Sequence, residues 1–350
     1  FIGLDKKVNV DGKGRLIPIN FDNAATTPPF KRVMKMILET SEYYGSIARG
    51  DGKKSQYCSD LYENSRKYIL EYFNAPEDIY TAIFVGNTTD GLNKLSNILI
   101  EDKDDIVITT RMEHHSNDLP WRNKCNLKHV EVDKDGRLIV EEIEMLLEKY
   151  QERVKYVTVT GASNVTGYVN DIRRIARATH KYGAKIIVDG AQLIPHKKIS
   201  MTQEDINENI DFLVFSGHKV YAPFGSGVII GLREIFNEKE PSSKGGGTVQ
   251  IVLDDRQLWL DTPEKNEAGT PNLFAVSIAE ALREMDKIGF ETIESNEKEL
   301  LSYLVKELKQ FEKVILYGDN ENINDRLGIL VFNIDGMSYE EVGEALANIR

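Results

Sequence analysis

Lys219 closes the run Phe212-Leu213-Val214-Phe215-Ser216-Gly217-His218-Lys219, in which an apolar, strand-like segment ends in a polar turn. The loop Tyr221-Ala222-Pro223-Phe224-Gly225-Ser226-Gly227 follows, where the backbone must turn tightly. A lysine held there and partly desolvated carries an amine able to form an imine with an aldehyde cofactor. A lysine after a strand is more often simply solvated, and for Lys219 alone that ordinary reading wins. Asp189 stands in the same relation to Ile186-Ile187-Val188 and opens Asp189-Gly190-Ala191-Gln192. A carboxylate directly after a buried strand lies at a crevice mouth, although an aspartate there commonly caps the next helix.

Three further clusters follow strand-like segments. Ala82-Ile83-Phe84-Val85 runs into Gly86-Asn87-Thr88-Thr89-Asp90-Gly91 and then a helical pattern. A strand, a small polar turn and a helix N-terminus make an anion site, because unpaired N–H groups and the helix dipole face the ligand. A threonine N-cap is the ordinary alternative, and it is compatible with phosphate binding. No Gly-x-Gly-x-x-Gly and no Walker lysine accompanies the turn, which weakens any nucleotide reading. Ile106-Val107-Ile108 leads to Glu113-His114-His115-Ser116-Asn117. Adjacent histidines invite a metal, but neighbours in an extended chain point to opposite faces. The remaining histidines and the two cysteines show no ligand spacing, so no metal site is expected. A flat imidazole stacked on a cofactor ring suits His114 better. Val157-Thr158-Val159-Thr160 leads to Ser163-Asn164-Val165-Thr166-Gly167 and brings an amide to the same edge.

The elements that must position these groups alternate. Strands are predicted at Ala82–Val85, Ile106–Thr110, Tyr156–Thr160, Lys185–Val188, Phe212–Phe215 and Gly227–Ile230. Helices are predicted at Phe30–Tyr44, Ser59–Phe73, Thr89–Ile98, Val140–Tyr150 and Asp171–Tyr182. Such alternation argues for an α/β fold with a mostly parallel sheet covered by helices. In such sheets ligands bind beyond the carboxyl ends of the strands, where these clusters fall. Each alone is weak, but five on successive strand ends are hard to explain as caps and turns. Pro241–Gly247 reads as an exposed loop, Ala275–Lys313 as helical, Val314–Tyr317 and Gly328–Asn333 as strands, and Tyr339–Ile349 as a helix. This tail has the content of a smaller α+β domain stopped with little of its sheet in hand, so the natural chain is expected to continue past Arg350.

With 350 residues, the chain is long enough for a large core and two domains. Its net charge of -12 argues against a nucleic-acid or anionic-membrane surface. No run is apolar and long enough to span a bilayer, and Phe1–Asn9 has no signal-peptide pattern. Cys58 and Cys125 suggest no disulfide framework. A reducing, cytoplasmic setting is expected.

Taken together, these segments resemble the class V aminotransferase family of fold-type I pyridoxal-phosphate enzymes, and within it cysteine desulfurases and selenocysteine lyases. The likeness is carried in order by Asp22-Asn23-Ala24-Ala25-Thr26-Thr27-Pro28, Asn87-Thr88-Thr89-Asp90-Gly91-Leu92-Asn93, Glu113-His114-His115-Ser116-Asn117 and Ser163-Asn164-Val165-Thr166-Gly167. It continues through Val188-Asp189-Gly190-Ala191-Gln192, Ser216-Gly217-His218-Lys219, Gly245-Gly246-Gly247-Thr248 and Glu267-Ala268-Gly269-Thr270-Pro271-Asn272. The resemblance implies an N-terminal arm of the small domain (1–25), a large cofactor-binding domain (26–268) and part of a small C-terminal domain (269–350).

It further implies that Lys219 carries pyridoxal 5'-phosphate as a Schiff base and shuttles the substrate's α-proton. Asp189 is then expected to pair with the pyridine nitrogen and keep it protonated, and His114 to stack on the ring. Asn164 and Gln192 are expected near the phenolic oxygen. Thr88 or Thr89, Ser216 and His218 are expected on the phosphate. Thr270 is expected to reach the phosphate of a neighbouring subunit, which implies a homodimer with shared active sites. Family desulfurases also carry a nucleophilic cysteine and an arginine on a loop shortly after the helix matching Tyr339–Ile349, and this sequence stops before it. Neither Cys58 nor Cys125 lies in a matching segment. Gly45–Gly50, with Arg49, lacks histidines that many desulfurases have near the matching arginine.

The expected activity is that of a cysteine desulfurase, turning cysteine into alanine plus enzyme-bound sulfur, with a sulfur-acceptor protein as a possible partner. The alternatives are another class V reaction (selenocysteine lyase, kynureninase-like hydrolysis or epimerisation) and a cofactor-binding protein without turnover.

Overall fold

The structure is a computed structural model that describes residues 1–10, 12–48 and 50–349; Arg49 and Arg350 lie outside the described residues. Its centre is a seven-stranded sheet in the spatial order Tyr80–Val85, Gly227–Leu232, Phe212–Ser216, Lys185–Asp189, Val154–Thr160, Ile106–Thr110 and Asn126–Val130. All neighbours are parallel except Gly227–Leu232, which runs antiparallel to both of its partners.

Near-continuous apolar runs form these strands because both faces are covered. Successive side chains alternate between two apolar layers. Ala82, Phe84, Ile186, Val188, Leu213 and Phe215 enter the larger one. Ile83, Val85, Ile187, Phe212 and Val214 enter the other. The larger layer is filled from the helices Lys31–Glu42, Lys53–Tyr72, Val140–Tyr150, Ile172–Lys181 and Val276–Ile288. Leu92, Leu95 and Ile98 of the helix Thr88–Leu99, with Trp121 and Phe236, fill the opposite one.

The departures from the sequence reading have local causes. The strand Asn126–Val130 escapes an apolar-run criterion because it is an edge, half-exposed and carrying Lys128 and His129. The helix Lys53–Tyr72 begins before Ser59 because its first turn is polar, with Lys53 and Lys54 exposed. The helical stretch from Ala275 breaks at Gly289, whose φ of 85° separates Val276–Ile288 from Phe290–Leu308. Such a φ costs glycine nothing. The late strands pair as Val314–Leu316 with Phe332–Ile334, antiparallel, so the second is shorter and later than Gly328–Asn333. Among the described residues no helix is long and apolar enough to cross a membrane.

One buried ion pair ties the segment Glu267–Asn272 to this framework. Glu267 accepts from Arg66 Nη1 (2.8 Å) and Nη2 (3.2 Å), from the Tyr62 hydroxyl (2.9 Å) and from the Phe84 backbone N–H (2.6 Å). Burial opposes the Arg66 charge, yet Glu267 holds its pKa above the ordinary value. Glu63 also pairs with Arg66 at 3.0 Å but is half-exposed, so removing Glu267 leaves the buried Arg66 charge only partly compensated. Glu267→Ala is therefore expected to cost roughly 3–5 kcal/mol of stability, read by urea unfolding. A loss within experimental error would show that the pair carries no net weight.

Candidate active site

The parallel strands deliver their carboxyl ends to one edge, where a cavity of about 570 Å³ opens. That size suits a small cofactor with its substrate. Asp189 is the last residue of its strand and is 3% exposed. A turn follows it rather than a helix, so it caps nothing; Oδ1 accepts the Ala191 N–H at 2.9 Å. Burial pushes its pKa up to about 6, against that hydrogen bond and the nearby Lys219 charge.

Lys219 ends a single 3-10 turn directly after the neighbouring strand and lines the same cavity, half-buried. Burial lowers its pKa, and Asp189 and Asp22 reverse this only in part. A lowered pKa raises the fraction of free amine, the nucleophilic form. The loop beyond it holds Tyr221 at φ 63° and Phe224 at φ 73°, which non-glycine residues adopt at a cost. The segment Thr26–Phe30 holds it. The Thr27 N–H and hydroxyl both donate to the His218 carbonyl at 3.0 Å, the Tyr221 N–H donates to Thr27 Oγ1 at 2.9 Å, and the Phe30 and Tyr221 rings lie 4.5 Å apart.

Thr88 and Thr89 open the helix Thr88–Leu99. Its N-cap is Asn87, whose side chain accepts the Asp90 N–H, so neither threonine is spent as the cap. The Thr88 N–H donates to Ser216 Oγ at 2.8 Å and the two hydroxyls lie 2.7 Å apart, joining helix start and strand end. Gly91 makes this approach possible: a Cβ there would lie 2.6 Å from Val214 Cγ1. Ser216 and His218 line the cavity beside them. Burial and the Lys219 charge push the His218 imidazole down.

His114 lines the cavity, whereas His115 starts a 3-10 turn rather than continuing an extended chain. The His114 Nδ1 accepts the Ser116 N–H at 3.1 Å, which places the proton of the neutral ring on Nε2. Burial, then Lys219 and His115, lower its pKa and favour that neutral ring. Asn164 and Gln192 complete the set; Gln192 Nε2 donates to the Ala24 carbonyl at 2.8 Å.

Every expected site residue therefore lines one cavity except Thr270, which is exposed and outside it. Asp22, Ser116 and Thr160 also line it without having been singled out. Asp22 and Ser116 lay within the quoted motifs, and Thr160 ended a predicted strand, so position alone could have found them.

The sequence profile of the aminotransferase class-V family matches residues 19–349. The chain belongs to that family. It is 35% identical to a probable cysteine desulfurase of Staphylococcus aureus, over 98% of this chain and 82% of that protein. A cysteine desulfurase of Haloferax volcanii is 32% identical over 94% of this chain and 77% of its own length. Among solved structures, the apo cysteine desulfurase from Thermococcus onnurineus superposes with a TM-score of 0.84 at 32% identity, covering 93% of this chain and 81% of that one. The chain is thus a cysteine-desulfurase-like member of the class V aminotransferases, a pyridoxal-phosphate-dependent family.

The class V residues present here fit that cofactor by their chemistry. The Lys219 amine meets the need of an aldehyde, the Asp189 carboxylate that of a protonated pyridine, and the hydroxyl and imidazole groups around Thr88 that of a phosphate. Cys58 is fully buried, and burial pushes the half-buried Cys125 thiol up to about 11. Neither lines the cavity.

Proposed function

We propose that this protein removes sulfur from cysteine, leaving alanine, with pyridoxal 5'-phosphate held at Lys219. The observation that carries the reading is one cavity lined by both Lys219 and Asp189, in a chain similar to cysteine desulfurases over nearly its whole length. When bound, pyridoxal phosphate supplies an aldehyde for amines and a ring that absorbs negative charge.

The chain's own residues do the rest. Lys219 Nζ takes the substrate's α-proton, for which its lowered pKa suits it. The Asp189 carboxylate would hold the proton on the pyridine nitrogen. With the cofactor bound, the His114 ring would cover one face, Asn164 and Gln192 would stand by the phenolic oxygen, and Thr88, Thr89, Ser216 and His218 would hold the phosphate. Sulfur passes to a thiolate, R–S⁻, as R–S–S⁻, while the carbon it leaves gains a proton, giving alanine. That acceptor is a thiol other than Cys58 or Cys125, such as that of an acceptor protein or a small thiol in solution. We further propose a cytoplasmic homodimer whose exposed Thr270 reaches the neighbouring subunit's phosphate, with the arm, large domain and small domain divided near 25 and 268.

The test supplies purified protein with pyridoxal phosphate, cysteine and dithiothreitol, and measures sulfide and alanine. Equal amounts of both are expected. Cofactor bound without either product would overturn the desulfurase reading. A parallel panel with selenocysteine and kynurenine, read by product mass spectrometry, distinguishes the other class V reactions.

A further inference from the structure

The Glu113–Asn117 segment holds more chemistry than the one imidazole assigned to it. The strands Ile106–Thr110 and Val154–Thr160 pair only from Ile106 with Val154 to Ile108 with Val157. Beyond that their backbone pairing stops, while Thr160 stays paired with Asp189 on its other side. Side chains fill the resulting fork. Glu113 Oε1 accepts from the Thr110 hydroxyl (2.6 Å) and the Thr160 N–H (3.0 Å). Its Oε2 accepts from Asn117 Nδ2 (2.6 Å). Asn117 Oδ1 in turn accepts from the Thr158 hydroxyl (2.6 Å) and from Trp121 Nε1 (3.3 Å). Asn117 and Trp121 are fully buried.

We propose that Glu113 is a positioning residue of the active site: with Asn117 it closes this fork and fixes there the turn carrying His114 and the strand end carrying Thr160. Both of those residues line the cavity. The same turn is tied to the phosphate side, because Ser116 Oγ lies 2.8 Å from His114 Nδ1 and 2.6 Å from Thr89 Oγ1. The inference rests on the cofactor assignment above.

The direction of the hydrogen bonds made by Asn117 is forced, which makes the role testable. The Trp121 indole can only donate, so Asn117 must present its oxygen there and its NH2 to Glu113. Glu113→Gln then sets an NH2 against either the Asn117 NH2 or the Thr160 N–H, whichever way the amide turns. Burial pushes the Glu113 pKa up to about 8, so above that pH Asn117→Asp sets two carboxylates against each other. Glu113→Gln combined with Asn117→Asp restores every donor to an acceptor.

The measurement is the pyridoxal-phosphate Kd by equilibrium dialysis, with the induced circular dichroism of the bound cofactor as a second readout. Each single variant is expected to raise Kd about tenfold or more and to change the dichroism. The double variant is expected to return Kd to within about threefold of wild type and to restore the signal. Single variants with wild-type Kd, or a double variant as weak as the two losses combined, would overturn the inference. Should the single variants fail to fold, a folded, binding double variant supports it and an unfolded or non-binding one overturns it. Wild-type protein that binds no pyridoxal phosphate overturns the cofactor assignment, and this inference with it. Wild-type binding with an additive cycle overturns this inference alone.

Discussion

Lys219→Ala is expected to abolish the visible absorption band of lysine-bound pyridoxal phosphate and to lower sulfide release from cysteine by about 10³-fold or more. Two functions fall on one nitrogen. In the proposed reaction Nζ is the attachment point and also the base beside the substrate's α-carbon. Burial lowers the Lys219 pKa, so more of the amine is unprotonated than for a surface lysine. Asp189 and Asp22 pull the other way, which keeps part of it protonated and able to return a proton. The protein should survive the change: Lys219 sits in a loop held by Thr27 and Phe30 through backbone and neighbouring groups, not through its own side chain. Circular dichroism and the unfolding midpoint should therefore stay near wild type. Cofactor can still occupy the cavity non-covalently, so dialysis should strip it from the variant and not from wild type. A variant that keeps the visible band would place the attachment on another lysine.

Most of this site was legible from sequence because buried parallel strands advertise themselves. Ile186-Ile187-Val188 and Phe212-Leu213-Val214-Phe215 are apolar at every position, so the first polar residue after each marks the sheet edge. Asp189 and Lys219 stand at or just past such ends, and the roles proposed for them rest on that placement more than on their own identities. What stayed hidden depends on register and long-range contact. Nothing local in Glu113 says that the strands beside it stop pairing, or that Thr160, in another strand, donates to it. Glu267 likewise stands in a quoted motif, but nothing local shows that Arg66 and Phe84 close on it. The edge strand Asn126–Val130 was missed for the opposite reason, since its half-exposed face alternates polar residues into the pattern. The antiparallel sense of Gly227–Leu232 was also unreadable, because a run buried at nearly every position carries no mark of direction.

Asp189→Asn is expected to stabilise the cofactor-free protein while lowering turnover on the order of 10²-fold or more. The two effects share one cause. The carboxyl group is 3% exposed, and burial lifts its pKa from the ordinary 3.8 to about 6. Below about pH 4 both folded and unfolded chains hold the proton, and the group costs nothing. As pH rises, the unfolded chain ionises first. Above about pH 6 both are ionised, and the folded state bears the full penalty of a buried charge, up to roughly 3 kcal/mol at 1.36 kcal/mol per pKa unit. Asparagine keeps the acceptor for the Ala191 N–H and removes the charge. Urea unfolding of the cofactor-free variant should therefore show a gain of roughly 1–3 kcal/mol at pH 8 that vanishes near pH 4. Pyridoxal phosphate is expected to reverse the ranking, because in the proposed site its protonated pyridine nitrogen pairs with this carboxylate. Its addition should raise wild-type stability more than that of Asp189→Asn. A variant that gains nothing at pH 8, or that gains equally from the cofactor, would mean that the Asp189 charge is not held for the ring. Such a result would leave Lys219 as an attachment point without the electron sink that the proposed reaction needs.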